Sequence, residues 1–254
     1  ARGGGTGGSR SLHIGGAAVA QGGKALIEAA KPLAAHFLDA APAAIAYRDG
    51  AFLASGSNRS IGLIELGKTA RNEAQLPREL RTAYAGGLTA KAKYSATHPT
   101  FPNGCHIAEV EIDPETGYIT LCRYTVVDDF GQLVNPMLVA GQVHGGVAQG
   151  IGQALMEEAI YEPGSGQLLT GSFMDYGIPR ADDLPDIDFA NYPTVNPNNP
   201  LGVKGCGEAG TIGAKPAFVH AVLDALADKG VTDIDMPTTP QKIWRLLQAA
   251  TKAA

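Results

Sequence analysis

The stretch GQVHGGVAQGIGQ, residues 141–153, limits the possible folds more than any other. Its flanks carry apolar residues at helical spacing, and Pro136 suits a first helical turn. Yet Gly141, Gly145, Gly146, Gly150 and Gly152 all fall inside the expected helix, which runs towards Tyr161. Each glycine costs about 1 kcal/mol relative to alanine in a helix interior. A helix keeps so many only where something must approach closely: another backbone or a bound molecule. Tight helix–helix packing is the plainer reading. Gln142, His144, Gln149 and Gln153 project from the same segment, and amides that both donate and accept suit a polar, neutral cofactor edge. His144 has no partner at metal-ligand spacing and reads as structural.

The rest of the chain alternates between helix and strand signals. GAAVAQGGKALIEAAKPLAAHFLDA predicts a long helix ending near Pro42. AIAYRDGAFLAS predicts two short strands around an Asp49-Gly50 turn, and SIGLIELGKTA a short helix capped by Ser60. Residues 71–100 read as a surface excursion. CHIAEVEID and YITLCRYTVVDD predict a strand pair turning at Pro114–Gly117. Residues 166–193 read as loop and strand. AGTIGAKPAFVHAVLDALADKG predicts an amphipathic helix closed by Gly230, and a last helix follows Thr239 and Pro240. Helices mixed with antiparallel strand pairs point to an α+β fold, with subdomains expected at 1–100 and 101–254.

With 254 residues, 44% hydrophobic and 18% charged, the chain can bury a substantial core. The net charge of −5, without a basic run, argues against a nucleic-acid partner. No apolar run reaches transmembrane length and no signal-peptide pattern is present. Cys105, Cys122 and Cys206 are too widely spaced for a disulfide framework or a protein-ligated metal cluster, so a reducing cytoplasm is the expected setting. The opening ARGGGTGGSRS lacks Met and starts inside a glycine run, which suggests a piece of a longer polypeptide or one chain of a split one.

Two motifs carry chemistry. GGGTGGSRS could present backbone N–H groups to an anion, but no Gly-Lys-Ser/Thr follows and no strand precedes it in this chain. A flexible end segment is its plainer reading. In GVKGCGEAGTIGAKPAF, Glu208 stands among glycines at a helix start. A helix N-terminus lowers a carboxylate pKa and burial raises it, so an acid in a closed pocket there suits a general base. An ordinary first-turn acid fits equally well.

Taken together, GTGGSRSLHIGGAAV, GQVHGGVAQGIGQALMEEAIY, FMDYGIPRADDLP and GVKGCGEAGTIGAKPAFVHAVLDAL resemble the xanthine oxidase family of molybdenum hydroxylases, in order along nearly the whole chain. The resemblance is to the C-terminal part of the molybdopterin-binding large subunit, in the branch of carbon monoxide dehydrogenase and bacterial aldehyde and heterocycle oxidisers. It implies that Glu208 is the general base beside a molybdenum held by a pyranopterin dithiolene. The oxygen comes from water, and the metal's ligands come from the cofactor rather than from protein side chains. It implies cofactor contacts at Gln149 and along Gly5, Thr6, Gly7, Gly8, Ser9, Arg10 and Ser11. Gly207 would lie against the metal site, where a side chain would collide.

The cofactor would be molybdopterin or its cytosine dinucleotide, and iron–sulfur clusters and FAD would sit on partner chains or domains. The substrate would be a small aldehyde, N-heterocycle or carbon monoxide. The family's upstream substrate loops, a further cofactor-binding glutamine and the carbon monoxide dehydrogenase cysteine have no counterpart here. Cys206 lies in a different motif. The N-terminal part of the large subunit is therefore an expected partner, and this chain alone is not expected to close a site. Two other readings remain at this stage. One is a non-catalytic assembly or interaction subunit that keeps the fold without a cofactor. The other is a phosphate-binding domain built on the opening glycines.

Overall fold

A computed structural model describes residues 4–72, 74 and 76–253. Gly3, at the head of the glycine loop, lies outside them, as do Glu73 and Gln75. The chain divides into two compact units: Ala1–His13 with Thr97–Ala254, and Ile14–Ala96.

In the smaller unit a π-helical turn (Ser11–Gly16) leads into α1 (Ala17–Leu38). The helix stops before Pro42 because Asp39 turns left-handed, φ 50°, and returns its N–H to the last-turn carbonyls. Strands β1 (Ile45–Arg48) and β2 (Ala51–Ala54) pair with Arg48 opposite Ala51. That register leaves a two-residue loop with Asp49 at φ 51° and Gly50 at φ 85°, the type I′ geometry that matches strand twist. Ser60 does not cap a helix. Residues Ser60–Gly62 form β3, held to β2 by the Ile61–Phe52 pairing, and α2 (Leu63–Thr69) starts only after Gly62. Within the expected surface excursion lies a short α3 (Arg78–Ala83), flanked by buried Leu76 and Tyr84. The Tyr84 hydroxyl donates to the Ala29 carbonyl at 2.6 Å, which ties this segment to α1. Leu33, Leu38, Phe52 and Leu66 form the centre of this core.

The larger unit is built on β4 (Asn103–Ile112) and β5 (Ile119–Asp129), a long antiparallel pair. Their turn is held by Asp113, whose carboxylate accepts from the Glu115 N–H and the Thr116 hydroxyl at 2.8 Å each. β6 (Ile187–Asn191) lies parallel to β5 on its other side, so the sheet is mixed rather than built of antiparallel pairs alone. Helix α4 (Pro136–Leu155) begins with the Asn135 side chain accepting from the Leu138 N–H. It ends at Leu155, short of the expected Tyr161. α5 (Ala209–Ala225) and α6 (Pro240–Ala253) complete the unit. Tyr124, Val126, Phe130, Val143, Ile151 and Phe218 are fully or almost fully buried in the core between sheet and helices.

Four of the five glycines of α4 divide into two groups, and the fifth, Gly152, faces Pro179 and Glu157. A Cβ on Gly146 would stand 3.0 Å from the Gly210 Cα, and one on Gly150 would stand 2.6 Å from the Ala214 Cβ. A Cβ on Gly210 would stand 2.6 Å from the Val143 carbonyl oxygen. The first turns of α5 are therefore the backbone that those glycines admit. Gly141 and Gly145 face open space. The close seam puts the start of α5, and Glu208 just before it, hard against the middle of α4.

Candidate functional site

Three segments distant in sequence meet at Glu208. The chain after β5 pairs with residues 202–204: Gln132 N–H donates to the Gly202 carbonyl at 2.9 Å, and Lys204 N–H to the Phe130 carbonyl at 2.8 Å. Asn199 ties in the N-terminal segment, its side-chain amide donating to the His13 carbonyl at 2.9 Å. The glycine loop closes the arrangement through Ser9. The Glu208 N–H donates to Ser9 Oγ at 3.1 Å, and the Ser9 hydroxyl reaches Glu208 Oε2 at 3.5 Å. Glu208 itself is exposed and occupies the N-cap position of α5.

The two glycines flanking Cys206 differ in kind. A Cβ on Gly205 would stand 2.5 Å from both Ser9 Cβ and the Ser9 carbonyl oxygen, so this chain itself requires glycine there. A Cβ on Gly207 would find only ordinary contact, 3.5 Å from Ser9 Oγ and 3.6 Å from Gln142 Oε1. Nothing in this chain demands a glycine at 207.

Two cavities flank the Ser9–Gly205 contact, and both residues line each of them. The first, about 380 Å³, is lined by Glu208, His106, Asp128, Ile212 and Gly213 among others. The second, about 150 Å³, is lined by Thr6, Ser11, Gln132, Gln142, Lys204 and Gly207 among others. Among the sequence-predicted residues, the structure thus brings Gly8, Ser9 and Glu208 to the first cavity, and Thr6, Ser9, Ser11 and Gly207 to the second. Gly5, Gly8 and Ser9 have positive φ (74°, 58° and 55°), and added Cβ atoms on Gly5, Gly7 and Gly8 would meet nothing within 4 Å. The loop's backbone is therefore approachable. Arg10 is turned inward, donating to the Gly4 and Gly5 carbonyls at 2.6 and 3.2 Å. Gln149 lines neither cavity, and its Oε1 accepts from the Thr211 hydroxyl at 3.2 Å. Gln142, two turns earlier, is the glutamine beside Gly207.

Lys204 is held by Asp129, with Nζ 2.6 Å from Oδ2 and both side chains nearly buried. Asp129 also accepts from the Gly131 and Thr194 N–H groups and from the Thr194 hydroxyl. Burial is the largest single influence on its carboxyl and pushes the pKa up. Lys204, Thr194 and Gly131 together outweigh it and hold the group well below the usual carboxylate range. Burial pushes the Cys206 thiol up, so it is a poor thiolate source. Among the described residues no three His, Cys, Asp or Glu side chains cluster to hold a metal ion, and no helix is long and apolar enough to cross a membrane.

A positive-φ glycine loop, a helix-start carboxylate and two cavities lined by amide and hydroxyl side chains thus meet at one place. The chain belongs to the molybdopterin cofactor-binding domain family, whose model matches residues 1–185. It is 36% identical over 251 residues to the 6-hydroxypseudooxynicotine dehydrogenase complex subunit gamma of Paenarthrobacter nicotinovorans, covering 96% of this chain and 30% of that protein. It is 33% identical to the carbon monoxide dehydrogenase large chain of Hydrogenophaga pseudoflava, with the same coverage. Among solved structures, a Cu,Mo-CO dehydrogenase superposes with a TM-score of 0.86 at 31% identity, covering 98% of this chain and 31% of that one. Quinoline 2-oxidoreductase from Pseudomonas putida 86 superposes with a TM-score of 0.82 at 38% identity, covering 96% of this chain and 30% of that one. The chain spans about 30% of the length of the curated relatives it matches.

Proposed function

We propose that Glu208 is the general base of a hydroxylation in which a small aldehyde, N-heterocycle or carbon monoxide is oxidised. The observation that carries this reading is the Ser9–Glu208–Gly207 arrangement. Ser9 grips the Glu208 N–H and approaches its carboxylate, while Gly207 is bare without any internal need. That gap suits a bulky group brought from outside the chain.

The residues present fit a pyranopterin. Gln142 offers an amide, and Thr6 and Ser11 line the cavity with hydroxyls that bond to each other. Lys204 lines the same cavity with its charge held by Asp129. When bound, the molybdenum centre supplies two-electron oxidation of the substrate carbon, with oxygen drawn from water. Ser9 fixes where Glu208 stands, and the Glu208 carboxylate would take up the proton given up by the water that supplies the oxygen. Gln142 and the glycine loop orient the cofactor, and Gln149 braces α4 against α5 through Thr211. Electrons would leave through iron–sulfur clusters and FAD carried by partner chains, and the upstream part of the large subunit would complete the pocket.

The test is to co-express the chain with its upstream and partner chains and to measure molybdenum content and dye-linked oxidation. Wild type should bind molybdenum, and Glu208→Gln should keep the metal but lose at least 100-fold in kcat. Absence of molybdenum in every combination would refute the reading. Full activity in Glu208→Gln would remove this carboxylate from the reaction.

A further inference from the structure

The C-terminal end of α4 opens onto a concave apolar surface that the site at Glu208 does not use. Two cavities of about 530 and 320 Å³ adjoin there, and Met156 and Asp183 line both. Phe173, Ile178 and Pro179 line the larger, and Leu121, Leu155 and Leu184 line the smaller. Among the described residues, none that lines this groove lines either cavity at Glu208. Leu155 stands thirteen residues beyond Gln142, roughly 20 Å along the helix axis.

The overhang of this groove is a held turn. The Tyr176 N–H donates to the Ser172 carbonyl at 2.8 Å, and the Ser172 hydroxyl donates to Asp175 Oδ2 at 2.9 Å. The Tyr176 hydroxyl donates to Glu157 Oε2 at 2.8 Å, which ties the turn to the residues just after α4. Gly152 admits the same segment, because a Cβ there would stand 2.6 Å from Pro179 Cγ. Fixed in this way, the turn presents Phe173 and Met174 to solvent at 83% and 92% exposure. Large apolar side chains held bare beside a groove mark an interaction surface rather than a frayed loop.

We propose that the groove and the Phe173–Met174 turn are the docking face for the upstream portion of the large subunit. The choice of occupant rests on the partner reading given above; the face does not depend on the role of Glu208. Two observations select that occupant. The chain covers only 30–31% of the relatives and structures it matches, so more than two-thirds of each of those polypeptides lies outside the matched part. Surfaces between parts that never separate are the most apolar class, like a core cut in two, and Phe173, Met174 and Ile178 make a surface of that kind. The second observation is the rim. Among the described residues, its charged side chains are Asp175, Asp182 and Asp183 against Arg180 alone. A second copy of a chain with net charge −5 would bring more negative charge to this rim. The upstream segment that fits presents apolar side chains to Phe173 and Met174 and a Lys or Arg to Asp182.

The test places a photo-crosslinking side chain on the turn, Phe173→p-benzoylphenylalanine, in the chain co-expressed with its upstream and partner chains. After irradiation and digestion, mass spectrometry should find peptides of the upstream portion joined to residue 173. Cross-links to the iron–sulfur chain, to the FAD chain or to a second copy of this chain would overturn the proposal, as would no cross-link at all. A double variant, Phe173→Ser with Met174→Ser, measures dependence on the two bare side chains. It should leave the Tm of the 254-residue chain within about 2 °C of wild type, because both positions are exposed. It should lower co-purification of a separately expressed upstream portion at least tenfold, and unchanged co-purification would also overturn the proposal. If wild type retains no separately expressed upstream portion, the cross-link alone decides. Molybdenum content of the co-expressed complex separates this claim from the functional reading. A cross-link to the upstream portion in a complex without molybdenum keeps the docking face and refutes the functional reading, and molybdenum without that cross-link does the reverse.

Discussion

Adding one methyl group at Gly210 should destabilise the larger unit, whereas the same change at Gly141 or Gly145 should stabilise it. All three substitutions are glycine to alanine in a helix. At Gly210 the new Cβ would stand 2.6 Å from the Val143 carbonyl oxygen and 2.8 Å from the Val147 nitrogen. Both are backbone atoms, so no side chain can swing aside. Ordinary contact begins near 3.4 Å, so α4 and α5 must part by about 0.8 Å. A gap of about that size loses a quarter to a half of each contact's dispersion energy. It would open along Val143, Val147, Ala214 and Phe218, all fully buried. Overpacking of this kind costs about 1–3 kcal/mol, offset by up to about 1 kcal/mol of helix propensity. A net loss of about 1–2 kcal/mol follows, or roughly 2–8 °C in Tm for a chain of this size. At Gly141 and Gly145 there is nothing within 4 Å, so about 0.5–1 kcal/mol of propensity is gained unopposed. Thermal unfolding of the three variants, with hydrogen exchange read at α4 and α5, makes the comparison. If Gly210→Ala stabilised the chain as much as Gly145→Ala, direct backbone contact would not be the reason for the glycine seam.

Removing the partner of Asp129 gives a second prediction. Lys204→Met should cost about 3 kcal/mol, measured by urea unfolding, because it strands a nearly buried carboxylate. The Asp129 pKa is depressed on folding, so its contribution is complete above the unfolded value near 4 and is lost as pH falls below it. The wild-type advantage over Lys204→Met should therefore shrink below about pH 4. The flanking glycines should also separate. Gly205→Ala should destabilise the chain by about 1–3 kcal/mol through collision with Ser9. Gly207→Ala should leave Tm within about 2 °C but lower the molybdenum content of the co-expressed complex several-fold. Gly50→Ala should cost about 1 kcal/mol, because φ is 85° at that hairpin position.

Local chemistry made part of this fold legible. The β4–β5 pair could be read from two Val- and Ile-rich runs around a Pro-Glu-Thr-Gly turn, and α4 from Asn135-Pro136 and its apolar spacing. β6 could not be placed, because a five-residue strand parallel to β5 announces its partner nowhere in its own sequence. Ser60 looked like a cap because Ser before an apolar run is a cap signal, and pairing with β2 overrode it. Gln142 and Gln149 are seven residues apart and therefore share a helix face about 10 Å apart along it. Periodicity identifies the face but not which turn meets Gly207. The His106–Asp128 contact joins adjacent strands through a register that only the folded pair fixes. Each looks unremarkable in the linear chain.

The Ser9–Glu208 contact spans 199 positions of sequence. A ribosome adding about 5–20 residues per second needs roughly 10–40 s to travel that distance. Throughout that interval the glycine loop is already made but has no carboxylate to hold, and the intervening Ile14–Ala96 unit is completed well before residue 208 is added. The Ser9–Glu208 contact thus cannot form until residue 208 is made, and a truncation anywhere before it leaves the loop without its counterpart.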